Sequence, residues 1–481
     1  MNKLDQEREL HIEEQHMEEW QTNRLLMKEP QMKGLHMEEQ QINELGIDAA
    51  HLIEMRRYLH RHPELSGYEE NTLKFISDKL DALGIPFHEV EKGGIIALIT
   101  GEAEGKGVLS GTLGTLADGG NSAAAGTLPG GGGSSAAGTV RKVLLRADMD
   151  ALPMEEDRNN LKQEKQVLSE MPGAAHTCGH DAHTAMLLAA AKVLQEKRGL
   201  FSGTVILCFE RAEETGGPDQ TYGYGRLFRY LDENGLSPDT CFALHVDPDL
   251  GCGHISAEPD GVYAGGFGFG VSIKGSGGHG SRPDKANNPL DCFLSFYQTL
   301  QGMPMRQLDP FAMLTFSIPF VRMGDTANVI SEELYFEGTA RSLSKATLNA
   351  FKDRFFELLQ GTCGLYGCSY EVKMQWLTDP VVNRASDAER IRELTVRHLG
   401  KDSYEAAPPT LSSETFAHYT DHYGGAIAFL GVKDEELGSG APIHSPQFDL
   451  NEEALTAGAA LHVLFALDAL GALNVLGGPE A

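Results

Sequence analysis

The sequence predicts an α/β protein in which a small β-α-β-β-α-β domain is inserted into a larger one. Three observations predict it. Between residues 143 and 246, apolar runs of strand length alternate with segments of helical period, the pattern of an α/β domain. Near Gly265 the texture changes, and up to residue 376 the order becomes strand, helix, two strands, helix, strand. That order is the ferredoxin-like one. Residues 377–481 return to α/β texture and include a long apolar helix over 452–470.

Taken in order, residues 1–44 are charged and rich in Gln and Met. Leu10-His-Ile-Glu-Glu-Gln15 returns as Leu35-His-Met-Glu-Glu-Gln40, 25 residues on. Two copies fall short of a solenoid, so this stretch reads as a helical extension. The first part of the larger domain takes residues 45–264. Ile53 and Leu59 mark one amphipathic helix, and Leu73, Ile76 and Leu80 mark a second. Ile95-Ile-Ala-Leu-Ile99 reads as a buried strand. Residues 101–139 then hold 13 glycines among Ala, Ser and Thr. Such a composition cannot bury enough apolar surface to fold alone, so it reads as a flexible insertion. Val143-Leu-Leu145 resumes the sheet. Strand 143–147, helix 182–197, strand 204–209, helix 223–235 and strand 240–246 follow and predict a largely parallel sheet. In the inserted domain, residues 265–376, Phe267–Lys274 alternates as a strand. A helix fits 288–301, strands 312–321 and 333–341, a helix 345–360 and a strand 369–376.

Composition narrows the function. A formal charge of −29 over 481 residues argues against a nucleic-acid partner, which requires a basic footprint, and against anionic membranes. No apolar run reaches the roughly 18 residues of a membrane span. The seven cysteines are odd in number and lack a framework spacing. With no secretory signal in residues 1–44, they read as reduced thiols in a cytoplasmic protein.

The densest chemistry is His176-Thr-Cys-Gly-His-Asp-Ala-His183, three histidines, a cysteine and an aspartate just before an apolar helix. In an extended segment, residues i and i+2 face the same side. Cys178 and His180 would then face one metal, with a helix starting near Asp181. Strand 204–209 runs into Glu210-Arg-Ala-Glu-Glu214 at a carboxyl end, where open α/β folds collect ligands. Neighbours in an extended chain point opposite ways, so Glu213 and Glu214 would do different jobs. His245 lies at the end of the next strand, and His444 in a Pro-flanked loop. Arg146-Ala-Asp-Met-Asp150 closes strand 143–147 with two carboxylates. They either orient metal-bound imidazoles or serve as loop and capping carboxylates.

Arg61-His-Pro-Glu64, Arg146-Ala-Asp-Met-Asp-Ala-Leu-Pro153, His176–His183, Ala212-Glu-Glu214, Leu244-His-Val246, Gly277-Gly-His279, Asn328-Val-Ile330 and His444-Ser-Pro446 occur in that order. The set resembles the co-catalytic metallopeptidase and amidohydrolase family of aminoacylases and carboxypeptidase G. The Cys-Gly-His version is similar to its branch of hippurate hydrolases, indole-acetyl-amino-acid hydrolases and N-acetyl-diaminopimelate deacetylases. The resemblance implies a zinc-exopeptidase-like catalytic domain with an inserted lid and dimerisation domain. It implies metal ligands Cys178, His180, Glu214, His245 and His444 for two divalent ions, with Glu213 as general base. Mixed S, N and O ligands suit Zn²⁺; Mn²⁺ is less suited to sulfur. His279 would reach a partner subunit's active site in a homodimer, and Asn328 and Arg341 would hold substrate carbonyl and carboxylate. An arginine fork matches a carboxylate.

The expected reaction is hydrolysis of N-acyl amino acids or similar small amides. A dipeptidase or carboxypeptidase with the same site is the first alternative, and an inactive metal-binding homologue the second. A nucleophilic Cys178 would leave the rest of the ligand set unexplained. The chain departs from the family pattern at Glu210-Arg211, where Gln-Pro is common, at Glu414-Thr-Phe416, where Glu-Asp-Phe is common, and at Ser331, where a proline is common. None of these removes a ligand or the base.

Overall fold

The computed structural model describes residues 45–103, 141–217 and 221–473. The expected N-terminal extension and nearly all of the Gly-rich insertion lie outside the described residues.

Helix α1 (Ala49–Arg61) starts where Asp48 accepts a hydrogen bond from the His51 amide at 3.0 Å, an N-cap that satisfies an orphan donor. Its buried side chains are Leu52, Met55, Arg56, Leu59 and His60, an apolar stripe that carries a cation and an imidazole. Helix α2 (Glu70–Ala82) buries Leu73, Ile76 and Leu80. Strands β1 (Phe87–Val90), β2 (Gly94–Thr100) and β3 (Lys142–Asp148) follow, then helix α3 (His180–Glu196), β4 (Thr204–Glu210), α4 (Gly223–Glu233), β5 (Thr240–Gly251) and β6 (Ile255–Ser256). The second half adds β7 (Asp260–Tyr263), β8 (Gly265–Lys274), β9 (Gly278–His279), α5 (Pro289–Gly302), β10 (Thr315–Met323), β11 (Val329–Ile330), β12 (Glu333–Ser342), α6 (Lys345–Leu365) and β13 (Ser369–Thr378). It closes with β14 (Val381–Asn383), α7 (Ala385–Leu394), α8 (Phe416–Tyr423), β15 (Gly425–Lys433) and α9 (Leu455–Ala469).

The main sheet runs β1-β2-β4-β3-β5-β15-β6. The ladders β3–β4, β3–β5 and β5–β15 are parallel, and those at both margins are antiparallel. The sheet is therefore mixed, not largely parallel. The reason lies in the connections: β1 and β2 are joined by a three-residue turn, which permits only antiparallel pairing, whereas parallel neighbours need a long crossover. The parallel centre sets the function, because β3, β4 and β5 end on one rim. Register places Asp148 beside Glu210 and His245 beside Phe429.

The second sheet runs β10-β12-β8-β13, every ladder antiparallel. In order of occurrence its strands lie 2-3-1-4, the ferredoxin-like arrangement expected from the sequence. Phe267, Phe269, Val271 and Ile273 of β8 pack with Phe293 and Phe296 of α5 and with Phe351 and Phe355 of α6. The alternate residues of β8 include Gly266 and Gly268. A Cβ at Gly268 would lie 2.0 Å from Trp376 Cε2, so the indole rests on bare backbone. Among the described residues no helix is long and apolar enough to cross a membrane.

Candidate metal centre and active site

Five side chains from four segments converge on the rim. Cys178, His180 and His245 form one group whose ligand atoms all lie within 4.8 Å of one another, and Cys178, Glu214 and His444 form a second. Cys178 belongs to both. His180, Glu213 and Glu214 form a third such group. Each of the five ligands implied by the resemblance is thus in this cluster, with Glu213 at its edge.

Cys178 and His180 come together differently from the expectation. The segment is not extended there. His180 is already the first residue of α3, and Gly179 before it is left-handed, with φ of 92°. The turn, not a pleat, brings thiol and imidazole to one side. A Cβ at Gly179 would lie 2.3 Å from Val246 Cγ2, so the turn is pressed against the end of β5, which carries His245. Two further non-glycine residues at the rim are left-handed: Ala212 at φ 54° and His444 at φ 60°. Such conformations cost on the order of 1–3 kcal/mol and gather at functional sites.

Hydrogen-bond accounting separates ligands from supports. His245 Nδ1 donates to the Val246 carbonyl at 2.8 Å, which leaves its Nε2 lone pair facing Cys178 Sγ at 3.5 Å. His180 Nδ1 meets Asp150 Oδ1 at 3.2 Å, again freeing Nε2. His183 has neither nitrogen to spare: Nδ1 meets Asp148 Oδ1 at 2.7 Å, and Nε2 accepts from the Val246 amide at 3.0 Å. His183 is a strut between α3 and the two strands β3 and β5. Asp150 also accepts from Ser66 Oγ at 2.6 Å and from the Glu214 amide at 3.0 Å. Of the two readings left open for the 146–150 carboxylates, orientation of imidazoles is the one the hydrogen bonds match.

A bound cation fits this set on independent grounds. His180 Nε2 and Glu214 Oε1 are buried without a hydrogen-bond partner, 3.8 Å apart. His444 Nε2 lies 3.2 Å from the same Glu214 oxygen. An unsatisfied buried polar atom costs about 1–3 kcal/mol, and a divalent ion among these atoms would remove that cost.

The titratable groups of the cluster are shifted in opposite directions, His180 upward and His245 downward. Burial, followed by His183, pushes the His245 imidazole well below its ordinary pKa, which favours the neutral form that metal binding would need. Burial and then Glu214 push the Cys178 thiol well above its ordinary range; coordination is what would make it a thiolate. Burial, then Glu414 and Glu214, raise the Glu213 carboxyl well above the usual carboxylate range. The Thr415 amide donates to Glu213 Oε1 at 2.8 Å. Glu213 and Glu214 sit in a turn and not in extended chain. They nonetheless have separate neighbours: the Thr415 amide donates to Glu213, and His444 Nε2 lies near Glu214 without a hydrogen bond to it.

Beneath the rim lies a buried charged layer built on Arg146 and Asp181. The buried Arg146 guanidinium meets Glu210 at 2.9 Å, Asp148 at 2.6 Å and Glu414 at 3.1 Å, and donates to Thr415 Oγ1 at 2.9 Å. Asp181 is held by Arg56 Nε and His60 Nδ1, each at 2.8 Å. The available signal was Arg56 and His60 inside the apolar stripe of α1, four residues apart and so on one helix face. His176 is buried with both ring nitrogens unpartnered among the described residues, and burial lowers its pKa to about 4; nothing in the structure explains it.

The inserted-domain candidates lie outside the cluster. His279 is exposed, and its Nδ1 meets Ser281 Oγ at 2.8 Å. It pairs across the β9–β11 ribbon with Val329, next to the exposed Asn328. Arg341 Nη1 donates to Ser413 Oγ at 2.6 Å, one residue from Glu414, with its guanidinium 5.3 Å from the Trp376 ring centroid.

Comparison with known proteins gives a consistent picture. The model of peptidase family M20/M25/M40 matches residues 144–468. Thermostable carboxypeptidase 1 of Saccharolobus solfataricus is 30% identical over 418 residues, covering 86% of this chain and 94% of its own. IAA-amino acid hydrolase ILR1-like 5 of Arabidopsis thaliana is 32% identical over 420 residues, covering 85% and 84%. Among solved structures, a dinuclear metal-binding peptidase of the M20 family from Bacillus subtilis superposes with a TM-score of 0.67 at 26% identity, covering 88% of this chain and 99% of that one.

Proposed function

The chain belongs to peptidase family M20/M25/M40, and on that premise we propose that it hydrolyses N-acyl amino acids, with Cys178, His180, Glu214, His245 and His444 holding two divalent cations. It is a metal-dependent hydrolase of amide bonds, as its relatives and its dinuclear structural neighbour indicate. The observation that carries the site assignment is the pair of buried atoms without a hydrogen bond, His180 Nε2 and Glu214 Oε1, inside overlapping groups of metal-ligating side chains.

The cations would polarise the amide carbonyl and lower the pKa of a water molecule. The chain supplies the rest. Asp150 and the Val246 carbonyl fix the His180 and His245 rings with Nε2 inward, which removes reorientation from the reaction. Glu213, steadied through Oε1 by the Thr415 amide, accepts a proton from the attacking water and returns it to the leaving nitrogen. Arg341 meets the substrate carboxylate as a planar fork. Asn328, together with His279 from a second subunit of a homodimer, meets the carbonyl oxygen. The S, N and O donor set favours Zn²⁺ over Mn²⁺, and the seven free cysteines suit the cytoplasm.

Glu213→Ala should retain both metals by elemental analysis and lose about 10²–10⁴-fold in kcat or more. Near-normal turnover by that variant sinks the base assignment. Amine release from N-acyl amino acids compared with dipeptides separates this reading from the carboxypeptidase-like one, which the Saccharolobus relative keeps in play.

A further inference from the structure

A cavity of 470 Å³ opens directly beside the metal cluster, with His245 in its wall. That volume is in the range of small-molecule sites. Its walls mix polar groups with apolar side chains, Leu250, Pro408, Phe429 and Ile443 among the latter. Its charged lining is of one sign: Asp247, Asp249 and Glu405 contribute carboxylates, and no Lys or Arg lines it. The Asp249 amide donates to Asp247 at 2.8 Å, the Leu250 amide also hydrogen-bonds Asp247, and among the described residues none of the three carboxylates is in an ion pair.

Tyr263 also lines the cavity. It is 3% exposed, and its ring is wedged between His245 and Phe429, with centroids at 5.9 and 5.2 Å. No hydrogen bond holds its hydroxyl among the described residues, which is unusual for a buried tyrosine. Its phenol O–H can donate to an acceptor oxygen.

We propose that this cavity is the acyl subsite, that it takes an uncharged apolar acyl chain with Tyr263 donating to the amide carbonyl oxygen, and that its carboxylates exclude acyl groups that carry a charge of their own. Resting on the amidohydrolase reading above, the assignment fixes the direction in which substrate lies. The acyl end enters the acidic, partly apolar cavity, and the amino-acid carboxylate points away from it. Like-charge exclusion of this kind is a standard source of discrimination.

The test measures amine release from N-acetyl-, N-pentanoyl- and N-succinyl-alanine by the metal-loaded full chain. Three more buried methylenes should raise kcat/KM for pentanoyl over acetyl about 10–100-fold. Succinyl, similar in length but charged, should fall at least about 10-fold below pentanoyl. Pentanoate should inhibit acetyl-alanine hydrolysis at concentrations where succinate does not. Asp249→Lys should narrow the pentanoyl-to-succinyl ratio, and Tyr263→Phe should lower kcat/KM for pentanoyl about 10-fold with metal content unchanged. Equal rates for pentanoyl and succinyl, or a ratio unmoved by Asp249→Lys, overturn the subsite while leaving the amidohydrolase reading intact. No turnover of any of the three overturns that reading, and the subsite with it.

Discussion

Gly179→Ala tests how the metal cluster is assembled. The added methyl meets two obstacles. Gly179 has φ of 92°, where an L side chain is strained by about 1–2 kcal/mol. The new Cβ would also lie 2.3 Å from Val246 Cγ2. Val246 cannot simply swing away: it is 1% exposed, and its amide is bound to His183 Nε2 at 3.0 Å. Overpacking of such a site costs roughly 1–3 kcal/mol. The two together predict a loss of about 2–5 kcal/mol, read as a lower urea midpoint at constant m-value. Because Cys178 and His180 flank this residue, metal stoichiometry after dialysis should fall in parallel. Adding Val246→Ala to the variant should relieve the packing part and leave the backbone part. A midpoint shift equivalent to less than about 0.5 kcal/mol, with metal content unchanged, would show that the turn does not set the ligand geometry and would refute the argument.

His180→Ala and His183→Ala should separate cleanly. The first should reduce bound metal, while the second should keep it and cost about 1–3 kcal/mol by stranding the buried Asp148 and the Val246 amide; metal loss in His183→Ala would mean that the hydrogen-bond accounting misplaced a ligand. Arg146→Met should cost about 3–5 kcal/mol in chemical unfolding, because Asp148, Glu210 and Glu414 lose their shared cation in a buried setting; a change under about 1 kcal/mol would count against that layer. The Glu156 carboxylate, partly desolvated but bound by His60 at 3.1 Å and Lys165 at 2.8 Å, is lowered to about 2. Because its folded pKa lies below its ordinary 4.5, the stability it adds is present above that value and is lost as pH falls toward 2. The stability gap between wild type and Glu156→Gln should therefore be full near pH 6 and shrink through that window; a gap independent of pH would contradict the assignment.

Much of the fold was legible because it is written in local periodicity. The β8 strand alternates phenylalanine with glycine, and both faces of that alternation are used, one against α5 and α6, the other beneath Trp376. The order of the inserted elements was enough to anticipate the 2-3-1-4 sheet, since short connections and antiparallel pairing leave few alternatives. The mixed character of the main sheet was not legible in the same way. Whether β2 lies parallel or antiparallel to β4 depends on the path of the chain between them, and a run such as Ile95–Ile99 reads the same in either direction.

The site divides along the same line. Candidate ligand types could be read from motifs, but the contacts that orient them come from residues far away in sequence. His180 and His183 are indistinguishable as letters. They differ because Asp150 leaves one His180 nitrogen free, whereas Asp148 and the Val246 amide occupy both nitrogens of His183. The departures from the family pattern show the limit most plainly. Glu210-Arg211 looks like two uncompensated charges at the mouth of an active site. In the fold, Glu210 faces Arg146 at 2.9 Å, while Arg211 faces Glu69 at 2.7 Å. Glu69 in turn accepts from the Ala212 amide at 2.8 Å and so helps to hold the left-handed residue that precedes Glu213. The pair is therefore anchored from two sides, by Glu69, 142 residues upstream of Arg211, and by Arg146 on a neighbouring strand, and both anchors lie next to Glu213, the proposed base.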